Sequence, residues 1–135
     1  MADYTFTGLI DAPADEVWKT VRVFTDGSWM GVDMTTEGEG VGATRTIAMG
    51  PSSITEQCER LDDDARVMGY TITEGAGMPF EDYHATMTVK PESDNRTELL
   101  WEATYEPVGD PEVATKTLDA IYGGGFGALK KYAES

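Results

Sequence analysis

Residues 110–134 read DPEVATKTLDAIYGGGFGALKKYAE, and this stretch decides the fold class. Asp110 is a good helix N-cap, Pro111 suits a first helical position, and Glu112 complements the positive helix end. Leu118, Ile121, Tyr122, Gly125, Leu129 and Tyr132 recur at helical spacing, and Lys130 and Lys131 stand where the macrodipole favours cations. The pattern predicts a helix of about 25 residues, about 37 Å long at ~1.5 Å per residue, enough to span a domain of this size. Within it lie Gly123, Gly124, Gly125 and Gly127, each costing roughly 1 kcal/mol against alanine. Either the backbone must approach the sheet or a ligand closely there, or the helix kinks. Both explanations predict a locally soft helix.

Upstream of this helix the periodicity is that of strands. From Gly31 to Pro107 the chain reads as consecutive strands joined by turns, among them Gly38-Glu39-Gly40, Gly50-Pro51, Asp62-Asp63-Asp64 and Ser93-Asp94-Asn95. The strands are expected at Ala43 to Met49, Ile54 to Leu61, Ala65 to Thr73, Phe80 to Lys90 and Thr97 to Glu106. Asp62-Asp63-Asp64 marks a tight hairpin, and the whole reads as a meander. Before it, Tyr4 to Ile10 places Tyr4, Phe6 and Gly8 on one face and Thr5 and Thr7 on the other. Pro13, Asp15 and Glu16 then open a helix of about three turns carrying Val17, Trp18 and Val21, with Phe24 following. A second short helical turn is expected over Thr25 to Met30, interrupted by Gly27. The expected fold is therefore α+β: a curved antiparallel sheet wrapped around a long C-terminal helix, with two short helices after the first strand. A single domain over residues 1–135 is expected, its interior able to enclose a small, largely apolar molecule.

Composition limits the partners. With 25 acidic against 10 basic residues the formal net charge is −15, a surface that repels phosphate backbones and anionic headgroups. Nucleic acid is therefore not an expected partner. Neither is membrane insertion, because no stretch approaches the roughly 20 apolar residues a span requires. The start of the chain lacks the basic and then apolar regions of a signal peptide, and Cys58 is the lone cysteine, so a cytoplasmic protein is expected. A monomer or weak homodimer is expected, with no cofactor. One histidine and one cysteine do not make the usual His/Cys metal site, so no metal is expected.

Several segments carry a family resemblance. Asp11-Ala12-Pro13-Ala14-Asp15-Glu16-Val17-Trp18, Gly40-Val41-Gly42-Ala43-Thr44-Arg45 and Glu59-Arg60-Leu61-Asp62 come first. Arg66-Val67-Met68-Gly69-Tyr70 and Tyr83-His84-Ala85-Thr86 follow. In order and spacing the chain resembles the START and birch-pollen-allergen-like (SRPBCC) superfamily, in its bacterial polyketide cyclase/dehydrase and lipid-transport branch. That resemblance covers essentially the whole chain and implies a helix-grip fold that binds hydrophobic molecules between sheet and helix. The region Thr55 to Val89 is also similar to the plant abscisic acid receptors. On that alignment Arg45 and Glu56 match inward polar positions, and Tyr83 and Ala85 match ligand contacts. Ile47 and Met49 match the apolar wall, and Ile121 and Gly125 the pocket face of the long helix. The gate and latch motifs of those receptors are replaced by Met49-Gly50-Pro51-Ser52 and Gly77-Met78-Pro79-Phe80, so a hormone-receptor role is not implied.

Residue chemistry refines the candidates. Alternation puts Tyr83, Ala85, Met87 and Val89 on the inner face and turns His84 outward, away from any general-base role. Cys58 reads as a small buried side chain. Arg45 and Glu56, on consecutive strands, should meet inside; they either satisfy each other or orient a ligand hydroxyl or carboxylate. Trp18, Trp29, Trp101, Tyr70, Tyr83, Tyr105 and Phe126, with Met49, Met68, Met78 and Met87, supply apolar and adaptable surface. The expected ligand-binding set is Arg45, Ile47, Met49, Glu56, Tyr70, Tyr83, Ala85, Met87, Trp101, Ile121 and Gly125. The expected function is to carry or sense a lipid- or polyketide-like molecule. The alternative is a polyketide cyclase or dehydratase, with Arg45 stabilising an enolate and Tyr83 or Glu56 moving protons. A protein-interaction role on the same fold is a third reading, for which the sequence marks no exposed apolar patch.

Overall fold

In a computed structural model, which describes every residue except Ala76 and the side chain of Met49, the chain forms one antiparallel sheet and two helices. The elements are β1 (Ala2–Ile10), α1 (Ala14–Val21), β2 (Met34–Glu37), β3 (Thr44–Met49) and β4 (Ser52–Asp62). After them come β5 (Val67–Glu74), β6 (Phe80–Ser93), β7 (Arg96–Pro107) and α2 (Pro111–Glu134). The sheet order is β1-β7-β6-β5-β4-β3-β2: a meander from β2 to β7, with β1 returning beside β7. The expected strands are all present. A short edge strand, β2, joins them.

Register shifts within β4, between β4's Thr55 and Glu56 and again between Cys58 and Arg60, bend the sheet, and another separates Glu81 from His84 in β6. In that β6 bulge Asp82 takes a left-handed conformation, φ 51°. Bulges raise the local twist and bend a strand, which is how an open sheet comes to curl.

The second short helix is not there. Residues 22–32 form isolated turns instead: Asp26 N–H donates to Val23 O and Met30 N–H to Gly27 O. The Asp26 carboxylate accepts the Ser28 backbone N–H at 3.0 Å, an Asx turn that competes with helical bonding. The first helix is also shorter than expected, eight residues, and Pro13 stands just before it as the N-cap. Trp18 Nε1 donates to Asp63 at 2.9 Å and Arg22 pairs with the same carboxylate, so α1 is pinned to the β4–β5 hairpin.

The long helix matches its reading closely. Asp110 accepts the Glu112 backbone N–H at 2.9 Å, Pro111 follows, and 24 residues run without interruption through the glycines. Ala114, Leu118, Tyr122 and Leu129 are fully buried, whereas Tyr132 is 46% exposed and Ala133 packs on the core in its place. The helix approaches the sheet at β1 and β7, where aromatic side chains set the spacing. Tyr122 stacks on Trp101 with centroids 4.1 Å apart and meets Tyr4 edge-on at 5.1 Å. Phe126 packs against Phe6 and lies over Gly8, where an added Cβ would stand 2.4 Å from the ring.

These contacts separate the glycines. A Cβ on Gly125 would stand 3.0 Å from Trp101, so close approach accounts for that position. Nothing lies within 4 Å of a Cβ added to Gly123, Gly124 or Gly127, and no contact explains their being glycine. Gly8→Ala is expected to destabilise the fold by about 1–3 kcal/mol through overpacking. Gly123→Ala is expected to stabilise it by up to about 1 kcal/mol through helix propensity. Urea unfolding followed by tryptophan fluorescence reads both; a neutral Gly8→Ala would show that Phe126 is free to move aside.

Candidate functional site

α2 meets the sheet mainly at β1 and β7, and a gap lies between it and the remaining strands. The gap is a cavity of about 630 Å³. Its walls come from Ile121, Gly124, Gly125 and Ala128 of α2, from Trp29, Met30 and Val32 of the turns after α1, and from the sheet. The sheet contributes Arg45, Ile47 and Ala48 of β3, Ile54 and Glu56 of β4, Tyr70 of β5, Met87 of β6 and Trp101 of β7. Apart from Arg45 and Glu56, no charged side chain among the described residues borders it.

Arg45 and Glu56 face each other directly in the β3–β4 register. Arg45 Nε donates to Glu56 Oε1 at 2.8 Å, and Nη1 donates to Phe24 O at 3.1 Å. Both residues are buried, 5% and 6% exposed. The Phe24 ring covers the guanidinium at 3.9 Å and the Tyr70 ring lies 5.3 Å away. Arg45 Nη2 and Glu56 Oε2 make no hydrogen bond among the described residues. Yet no fully enclosed side-chain nitrogen or oxygen among these residues lacks a partner. Neither atom is therefore sealed in the interior, and both residues border the cavity. The pair thus keeps guanidinium donors and a carboxylate acceptor for something else.

A chain of phenols backs this pair. Trp101 Nε1 donates to the Tyr70 hydroxyl at 3.1 Å, Tyr70 lies 3.4 Å from the Tyr83 hydroxyl, and Tyr83 bonds to Tyr122 on α2. Burial pushes Tyr70 up to about 12, with the Glu56 charge adding to it. Burial likewise drives Tyr83 and Tyr122 well above the ordinary phenol value. All three stay neutral across the physiological range and link the cavity floor to the helix.

Of the residues expected at the site, Arg45, Ile47, Glu56, Tyr70, Met87, Trp101, Ile121 and Gly125 come together on this cavity. Tyr83 and Ala85 do not. Tyr83 is on the inner face, but its hydroxyl is engaged with Tyr122 and its ring stacks on Phe80, beside a separate cavity of about 250 Å³. Ala85 is buried opposite Tyr70 and borders a depression of about 340 Å³ shared with His84 and Glu59. The Met49 side chain lies outside the described residues. Trp29, Met30, Val32, Ala48, Ile54, Gly124 and Ala128 complete the wall and were not in the expected set. Trp29 could have been found from its place in the aromatic group; the rest carry no chemical signal.

The outward reading of His84 holds: its side chain is 47% exposed, 2.9 Å from Glu59 and 3.4 Å from Asp82. The hydrogen bond to Glu59 holds its pKa above the ordinary 6.5, and Asp82 acts in the same direction. A folded-state pKa above the unfolded one adds stability below the unfolded value, lost as pH rises through the folded value. As the lone histidine, His84 gives a single imidazole resonance in an NMR titration. A midpoint above 6.5 is expected, falling back in Glu59→Gln; an unshifted midpoint would break the Glu59 contact. Cys58 is buried as expected, its Sγ–H directed at Arg60 O at 3.6 Å, and burial raises its thiol pKa.

A family model described as polyketide cyclase / dehydrase and lipid transport matches residues 1–134. The chain belongs to that family. No curated protein matches it. Among solved structures, the polyketide cyclase/dehydrase and lipid transport chain is similar to protein XoxI from Bacillus cereus. The two are 26% identical over 98% of this chain and 96% of the other, with a TM-score of 0.86. It is also similar to norcoclaurine synthase from Thalictrum flavum, in complex with dopamine and hydroxybenzaldehyde: 17% identity, 97% and 85% coverage, TM-score 0.77. The third likeness is to the di-domain ARO/CYC protein BexL, at 22% identity and TM-score 0.79, covering 97% of this chain and 46% of that one. The last two likenesses establish a shared fold. A seven-stranded antiparallel sheet with one short and one long helix is helix-grip-like, as the resemblance implied. No helix of the described residues is long and apolar enough to cross a membrane.

Proposed function

We infer that the chain binds one small, largely apolar molecule in the cavity between sheet and α2, as a cytoplasmic carrier or sensor. The observation that carries this is the pairing of volume and lining. A space of about 630 Å³ falls inside the roughly 300–1,000 Å³ usual for small-molecule pockets. Its wall is aromatic and aliphatic, with one buried ion pair presenting free donors and a free acceptor. The wall takes the apolar body and the pair fixes the polar end.

Ring closure or dehydration of a bound substrate is the second reading. Arg45 favours it: once Glu56 has taken the substrate's proton, the guanidinium is left without a counter-charge and can stabilise the enolate that forms. Tyr83 does not border the cavity, so Tyr70 or Glu56 at the wall is the nearer proton carrier. The names of norcoclaurine synthase and BexL are consistent with chemistry on this fold and do not transfer it.

Titration with the uncharged dye N-phenyl-1-naphthylamine tests the binding reading. Saturable dye emission is expected at one dye per chain, with quenching of Trp29 and Trp101, which border the cavity. A linear, unsaturable signal would reject it.

A further inference from the structure

The geometry points to an uncharged head group on the ligand, one that both accepts and donates a hydrogen bond, such as a carboxamide or adjacent hydroxyl and carbonyl groups. This rests on the reading that the cavity binds a small apolar molecule, and it narrows the class. The Arg45–Glu56 pair, at 2.8 Å and buried, is already neutral as a unit, and no other charge among the described residues borders the cavity. A carboxylate would have to win Arg45 from Glu56; an ammonium would have to win Glu56 from Arg45. Either leaves a third, uncompensated charge in a low-dielectric space. The anion also enters against a net charge of −15.

An uncharged head asks for neither exchange. It uses what the pair has left: Arg45 Nη2 donates to its carbonyl, and its own N–H or O–H donates to Glu56 Oε2. Phe24 over the guanidinium face at 3.9 Å leaves the edge of the group as the route of approach. Edge-on approach suits an in-plane hydrogen bond rather than an aromatic stack.

Four matched naphthalenes separate the possibilities: 2-naphthamide, 2-naphthoate, 2-naphthylmethylammonium and methyl 2-naphthoate, each titrated against tryptophan emission at neutral pH. The amide is expected to bind tightest, about tenfold or more above the carboxylate and the ammonium, with the ester between. In Glu56→Gln, where Arg45 loses its counter-charge, the carboxylate is expected to gain roughly tenfold and draw level with the amide. A carboxylate or ammonium binding the unaltered protein as tightly as the amide overturns the head-group inference and leaves apolar binding standing. So does a Glu56→Gln protein that folds and shows no gain for the carboxylate. If none of the four binds, the binding reading itself falls and this inference with it.

Discussion

Glu56→Ala is expected to cost about 3–5 kcal/mol of folding stability, the usual penalty for leaving a buried charge without its partner. Arg45 is 5% exposed, and removing Glu56 strips Nε of its acceptor while Nη1 stays bound to Phe24 O. The loss is in the orphaned guanidinium more than in the missing contact. Replacing both residues, Arg45→Leu with Glu56→Leu, is therefore expected to recover most of it, because two apolar side chains leave nothing unsatisfied. Urea unfolding of the two single variants and the double variant gives the coupling directly. A Glu56→Ala loss below about 1 kcal/mol would place the pair in the class of solvated surface bridges.

Ile121→Trp is expected to abolish saturable dye binding while the protein stays folded. Ile121 borders the cavity from α2, is only partly buried, and has open space in front of it, so an indole enters the void instead of the core. Overpacking a filled core costs about 1–3 kcal/mol, and filling a vacant cavity avoids that cost. Stability near the parent's, with dye binding lost, is the expected pair of results. Unchanged binding would mean that the dye sits elsewhere; a large loss of stability would mean that the space is not open at Ile121.

What was legible in the sequence was local or followed from counting. Asp110, Pro111 and Glu112 announce the start of α2 because capping is decided within one turn. Arg45 and Glu56 could be paired because they lie equally far from the Gly50-Pro51 turn, and an antiparallel hairpin sets equidistant residues opposite one another. The Thr25 to Met30 turn was misread because Gly27 and the Asp26–Ser28 bond favour turns, which an apolar spacing does not reveal. β2 gives no alternation signal, with Met34 half-buried and Thr35, Thr36 and Glu37 exposed.

Tyr83 marks the limit of strand parity as a guide. Alternation gave its face correctly, yet the face is longer than the cavity, and Phe80 and Tyr122 fill the part where Tyr83 lies. Where along an inner face a void ends depends on how the helix docks. That docking is set by Tyr122 on Trp101 and by Phe126 over Gly8, contacts between residues distant in the chain.

Native mass spectrometry of the protein purified from its own host tests the central claim most directly. One added species of discrete small mass per chain is expected, soluble in organic solvent, uncharged, and absent from Ile121→Trp purified in the same way. Bare protein that also fails to take up any of the dye or the naphthalenes, or an adduct retained unchanged by Ile121→Trp, would contradict it.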